Sequence, residues 1–326
     1  MKEPPMRTYC LSALFAMLIP SLFPAAALAQ AWPSRPITLI APSSAGSTPD
    51  TVARILAQKL SEQLGQQVLV VSRAGASGNL GSESVAKAAP DGYTILLGSI
   101  ANTINPHFMK GLGFTLDELA PVSSVAAAPD ILVLNPSVPA NNLRELLAWM
   151  KANPGASMGI PGFGSTPHLS SLLLKSMGGV ELTLVPYQGG GAVLTGILGN
   201  QVPMAFGTSV SIIPRLRGNQ LRGIGVTSAK RLASMPELPT LAEQGLTGFD
   251  VTAWFGVFAP AKTPKAIIDR LSEETRKATA SPDVRKRMMD LGADPLGSTP
   301  EEFGAFVKSE YAKWGKAVTE AGIKAE

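Results

Sequence analysis

Gly46-Ser47-Thr48-Pro49-Asp50 and Gly164-Ser165-Thr166-Pro167-His168 are two versions of one local instruction. Each follows a short apolar run that reads as a strand, Ile37 to Ala41 before the first and Met158 to Ile160 before the second. Each opens an apolar pattern of helical spacing. Threonine is a good N-cap, because its hydroxyl accepts from a free N–H of the first turn. Proline suits the next position, where its missing N–H costs nothing and its φ is already helical. Glycine and serine just before allow a sharp turn. Strand, small-residue turn and helix N-terminus together make a concavity that favours anions. Two of them imply two lobes; facing across a cleft, they would hold a molecule with two negative ends. The competing reading is a pair of ordinary helix caps in an α/β fold.

Outward from these loops, the amino terminus reads as a leader. Lys2 and Arg7 make a basic start, Leu11 to Ala27 is apolar, and Ala27-Leu28-Ala29 is a small-x-small cleavage site. Residues 1–29 therefore read as a secretory signal peptide rather than a retained anchor, since Pro20 and Pro24 break the apolar run. No later stretch reaches the about 18 unbroken apolar residues of a membrane span. The formal charge of +4 is a weak excess with no Lys/Arg block, so no nucleic-acid partner is indicated. The single cysteine, Cys10, lies inside the leader, so the mature chain is expected to have no disulfide, thiol chemistry or Cys-ligated metal. That suits a bacterial periplasmic protein that relies on its core.

The mature chain alternates strands and helices, which argues for βαβ units around a largely parallel sheet. Helices are expected near 48–64, 80–88, 142–152, 166–177, 191–198, 212–216, 264–280, 282–291 and 300–321, with another short one before Gly245. Strands are expected near 37–40, 67–71, 93–97, 158–160, 182–185, 202–206, 221–226 and 251–258. Pro121 to Leu134 reads as two short apolar runs split by Ala128-Pro129-Asp130, where one lobe hands over to the other. The division is 30–128 for the first part of lobe 1, 129–250 for lobe 2, and 251–326 for the return to lobe 1 and the closing helices.

Enzymatic chemistry finds little support. His107 and His168 are the only histidines, and without a carboxylate cluster they make a poor zinc site. There is no Gly-x-Ser-x-Gly elbow or Walker A loop. Ser84-Val85-Ala86-Lys87 matches Ser-x-x-Lys without its companion strings, and reads as a solvated helix face. No catalytic residue, metal or cofactor is expected. What recurs is small, hydroxyl-bearing loops after strands, where open α/β sheets bind ligands. The candidate ligand residues are Ser43, Ser44, Ala45, Gly46, Ser47 and Asp50 in the first loop. Gly162, Phe163, Gly164, Ser165, Thr166 and His168 form the second. Ser99 and Asn102 follow the strand at 93–97, and Thr208 the strand at 202–206. Asp50 in a first turn is either a favourable dipole partner or a group that orients the loop or meets a ligand ammonium. His168 is favoured neutral there, and either donates to a ligand or serves capping and packing. Tyr187 and Gln188 either line the pocket or start a turn. Trp254 reads as core and Trp149 as helix packing.

These segments, in order, resemble the tripartite tricarboxylate transporter substrate-binding proteins, also called Bug receptors. The resemblance is carried by Trp32-Pro33-x-Arg35-Pro36-Ile37, the loop ending at Asp50, and Arg73-Ala74-Gly75-Ala76-Ser77-Gly78-Asn79-Leu80-Gly81. It continues through Ala88-Ala89-Pro90-Asp91-Gly92-Tyr93-Thr94, Gly162-x-Gly164-Ser165-Thr166-x-His168-Leu169 and Val185-Pro186-Tyr187-Gln188-Gly189. Trp254-Phe255-Gly256 with Ala259-Pro260-Ala261-Lys262-Thr263-Pro264 completes it. It implies a two-lobed periplasmic receptor with two crossovers, each lobe a mixed or parallel sheet flanked by helices. It also implies capture of a small mono- or dicarboxylate by the loops at 43–50 and 162–168, partly through ordered water, and delivery to membrane permease subunits. The first loop departs from the family's usual Pro-x-Gly-Gly-x-x-Asp, with Ser47 replacing the second glycine and no aromatic before it. Phe163 stands where small residues are usual. The expectation is a non-enzymatic, monomeric receptor that closes by hinge motion. The alternatives are a periplasmic ligand sensor, and a hydrolase using His168 and a loop serine.

Overall fold

The computed structural model describes Met1 and residues 32–320. The expected leader, with Cys10, lies outside the described residues apart from Met1, as do residues 321–326. Strand β1 (Ile37–Ala41) leads into α1 (Thr48–Leu64), which ends at Gly65 in the left-handed conformation (φ 65°). The next elements are β2 (Val68–Ser72), α2 (Asn79–Ala86) and β3 (Thr94–Ser99). Then come α3 (Ala101–Phe108), the long β4 (Leu119–Leu134), α4 (Leu143–Ala152) and β5 (Ala156–Ile160). The chain continues through α5 (Thr166–Gly178), β6 (Leu182–Pro186), α6 (Gly190–Leu198), β7 (Met204–Thr208), α7 (Ser209–Arg217) and β8 (Arg222–Val226). It closes with β9 (Thr252–Pro260), α8 (Lys265–Ala280), α9 (Pro282–Asp290), β10 (Asp294–Pro295) and α10 (Pro300–Glu320).

The strands form one curled mixed sheet in the order β2-β1-β3-β9-β4-β7-β5-β6, with β8 and β10 also on β4. Each half is parallel where βαβ crossovers build it: β1 with β2 and β3, β5 with β6 and β7. The centre is antiparallel, because β9 runs against both β3 and β4, and β4 runs against β7 and β8. This is the mixed or parallel sheet flanked by helices expected above; the alternation of strands and helices, read alone as largely parallel, leaves out the antiparallel centre. The period of two is explicit in the packing. In β1, Ile37, Leu39 and Ala41 enter the core under α1, α8 and α9, while Ile40 enters the core under α2 and α10. In β4, Leu132 and Leu134 face α4 and α5, while Ile131 and Val133 face α6 and α7. The result is two helix–sheet–helix lobes sharing β4.

Three further expectations are corrected. The runs around Ala128-Pro129-Asp130 are one 16-residue strand. Pro129 is where β4 leaves one partner for the next: Pro129 is opposite Thr252 of β9, and Asp130 opposite Thr208 of β7. A missing N–H is tolerable there, where the ladder changes over. Residues 101–108, for which neither helix nor strand is expected above, form α3, with Pro106 inside it. The segment before Gly245 is a run of turns rather than a helix. Trp254 is core, 4% exposed, and its indole N–H donates to Glu310 Oε2 at 3.2 Å.

Candidate functional site

The two repeated loops are built alike, with N-caps one residue earlier than expected: Ser47 and Ser165, with the threonines already helical. In the first loop Gly46 has φ +75°, and its N–H donates to Asp50 Oδ2 at 2.9 Å. In the second, Gly164 has φ +73°, and its N–H donates to His168 Nδ1 at 3.2 Å. Each glycine N–H is thus closed onto a side chain four residues on, inside its own helix. Asp50 also accepts from Ser72 Oγ at 2.7 Å and from Arg54 Nε and Nη2, both at 3.0 Å. Burial works to raise this carboxyl's pKa, but the bonds from Arg54, Gly46 and Ser72 outweigh it and hold it below the usual range. Burial lowers His168 to about 4, so it is neutral near pH 7.

The hydroxyls fix the rest. Ser47 Oγ donates to Ser43 Oγ at 2.6 Å. Ser165 Oγ donates to Gly162 O at 2.8 Å and accepts from His168 N at 3.3 Å. Phe163 is half exposed and meets the His168 ring edge-on, with centroids 5.3 Å apart.

A cavity of about 350 Å³ opens between these loops. Of the sequence candidates, Ser43, Ser44, Ser47, Ser99, Gly162, Phe163, Ser165, Thr166 and Thr208 lie on its wall. Ala45, Gly46, Asp50, Asn102, Gly164 and His168 do not. Asp50 and His168 stand behind the wall as loop closures. Asn102 accepts from Ser99 N at 2.9 Å and donates to Ser82 Oγ at 2.8 Å, stitching the end of β3 to α2. Tyr187, Gln188, Gly189 and Gly190 are on the wall, as are Ser77 and Ser211. Val133, Val193, Leu194, Ile197, Phe206 and Ile212 give it an apolar side. Among the described residues, no Asp, Glu, Lys, Arg or His lines it. Sequence reasoning missed the apolar side, whose residues look like any core positions until α6 and α7 are placed over β4.

The jaws touch. A Cβ at Gly162 would stand 2.9 Å from Ser77 Oγ, and one at Gly189 3.1 Å from Ser44 Oγ. A Cβ at Gly164 would come closer still to Asn105 Oδ1. Under the wall, Asp130 is wholly buried: Oδ1 accepts from Thr166 Oγ1 at 3.2 Å and Oδ2 from Ser170 Oγ at 3.1 Å, and the Thr208 hydroxyl bonds to it too.

Residues 52–323 match the model of the tripartite tricarboxylate transporter family receptor. The chain belongs to this family. Its fold is that of solved members of the same kind. The periplasmic binding protein BugD superposes with a TM-score of 0.87 at 33% identity, covering 90% of this chain and all of that one. A protein of R. palustris solved with adipate gives 0.88 at 33% identity, over 90% and 100%. MatC from Rhodopseudomonas palustris, solved with malate, gives 0.80 at 31% identity, over 88% and 99%. These family receptors are two-lobed binding proteins. Among the described residues of this member no group of three metal-ligating side chains occurs, and no helix is long and apolar enough to cross a membrane.

Proposed function

We propose that this receptor works in the periplasm, closes on a small carboxylate without turning it over, and presents it to the permease subunits of a tripartite transporter. The observation that carries the reading is the cavity wall: hydroxyls and two helix N-termini on opposite jaws, with no charged side chain among the described residues that line it. Such a wall stabilises one acid group with dipoles and hydrogen bonds, and an opposing basic residue is not needed. The relatives solved with adipate and malate agree with that chemistry.

In this reading Ser43, Ser44, Ser47, Ser165 and Thr166 meet the acid, and Ser99 and Thr208 read another part of the ligand. The apolar side formed by Val193, Ile197, Phe206 and Ile212 takes a carbon body. The lobe boundaries at 128/129 and 250/251 are supported by the partner change in β4 and the start of β9 at Thr252. A thermal-shift screen of organic acids tests the function, because bound ligand raises stability by mass action. Mono- or dicarboxylates with short apolar bodies are expected to raise Tm. Shifts with neutral sugars and none with any acid would overturn the reading.

A further inference from the structure

Asp130 is a buried carboxyl with no cation beside it among the described residues. It lies where β4 changes partners, under the first turn of α5, and touches the cavity only through the hydroxyls of Thr166 and Thr208. The elements packed around it offer no compensating charge. On the first turn of α5 the titratable side chain is His168, neutral near pH 7. β7 and β9 carry no charged residue. Arg222, at the far end of β8, donates to the carbonyls of Val138 and Ala140. Arg215 and Arg217, in the last turn of α7, are engaged by Gln220 and the Ser234 carbonyl, and Asp250 before β9 is exposed.

We propose that Asp130 is a proton-linked positioning residue, taking up one proton from solution as an acid group enters the cavity. An ionised carboxylate only accepts. Thr166 and Thr208 then both turn their O–H toward it and show the cavity lone pairs, above a buried negative charge. A protonated Asp130 donates one bond instead. One of its three hydroxyl partners becomes an acceptor, and a threonine O–H is released toward the incoming carboxylate. The charge under the α5 N-terminus is removed as well, so the positive end of that helix acts on the ligand undiminished. Burial pushes Asp130 up to about 7, so both forms coexist in the free protein near neutral pH and the ligand selects one.

This rests on the carboxylate reading of the cavity, and the test separates the two. Adipate, and separately malate, are titrated calorimetrically from about pH 6 to 9 in buffers of different ionisation enthalpy. Wild type is expected to take up a fraction of a proton that approaches one at the alkaline end. Its affinity is expected to fall toward about tenfold per pH unit above neutrality. Asp130→Asn is expected to take up none and to bind with an affinity independent of pH. Binding by wild type without proton uptake overturns the proposal even if the variant does not fold. Equal uptake in the variant overturns it too. No binding of either acid sinks the carboxylate reading beneath it.

Discussion

The pair Asp50→Ala and Asp50→Asn asks whether this carboxylate belongs to the loop or to a ligand. Four donors converge on it: Gly46 N, Ser72 Oγ and two nitrogens of Arg54. The Arg54 side chain is 54% exposed, so its share is screened and small. The bonds from Gly46 and Ser72 are charge-assisted and lie against a residue 3% exposed. Deleting the carboxylate strands both donors and costs about 2 kcal/mol. The amide keeps one oxygen for Gly46, and the Ser72 hydroxyl reverses to accept from the new NH₂, so Asp50→Asn costs about 1 kcal/mol. The pKa sets the pH window. Asp50 is lowered on folding, so its contribution is present above the unfolded value near 3.8 and is lost as pH falls through the lower folded value. Urea unfolding at neutral pH and again near pH 3 measures this, and the variants should approach wild type in acid. Two variants within about 0.5 kcal/mol of wild type at neutral pH, yet defective only toward amine-bearing acids, would refute the argument and make Asp50 a ligand group.

Gly162→Ala places a methyl 2.9 Å from Ser77 Oγ, at a φ of +123° that side chains rarely adopt. Carboxylate affinity should drop at least about tenfold, alongside a stability loss of about 1–3 kcal/mol; unchanged affinity would show that this contact does not limit closure. His168 is lowered on folding from 6.5 to about 4, so wild type should lose up to roughly 3 kcal/mol of stability as pH falls between those values. His168→Gln should lack that loss. Asp130 slopes the other way over much of the same range, so the quantity to compare is the difference between wild type and variant in parallel thermal melts. Trp254→Phe removes the indole bond to Glu310 and should cost about 1–2 kcal/mol in denaturant unfolding, with ligand affinity unchanged.

What the sequence determined by itself was what short-range chemistry decides. Gly-Ser-Thr-Pro turns start α1 and α5, Gly65 ends α1, and the βαβ rhythm follows from apolar periods of 3.6 and 2. The same chemistry drew attention to both loops, and nine of the candidate ligand residues line the cavity. Tertiary structure decided which way each group of those loops faces. The N–H groups of Gly46 and Gly164 are turned inward by Asp50 and His168, a choice set by closure of the loop onto its helix and invisible in composition. It also decided the fate of Pro129: a proline inside an apolar run reads locally as a break, but two different partners on either side let one strand pass through it. Asp130 gains its meaning only there. Its neighbours Thr166 and Thr208 are 36 and 78 positions away in the chain, and burial among hydroxyls without a cation is a property of the assembled sheet.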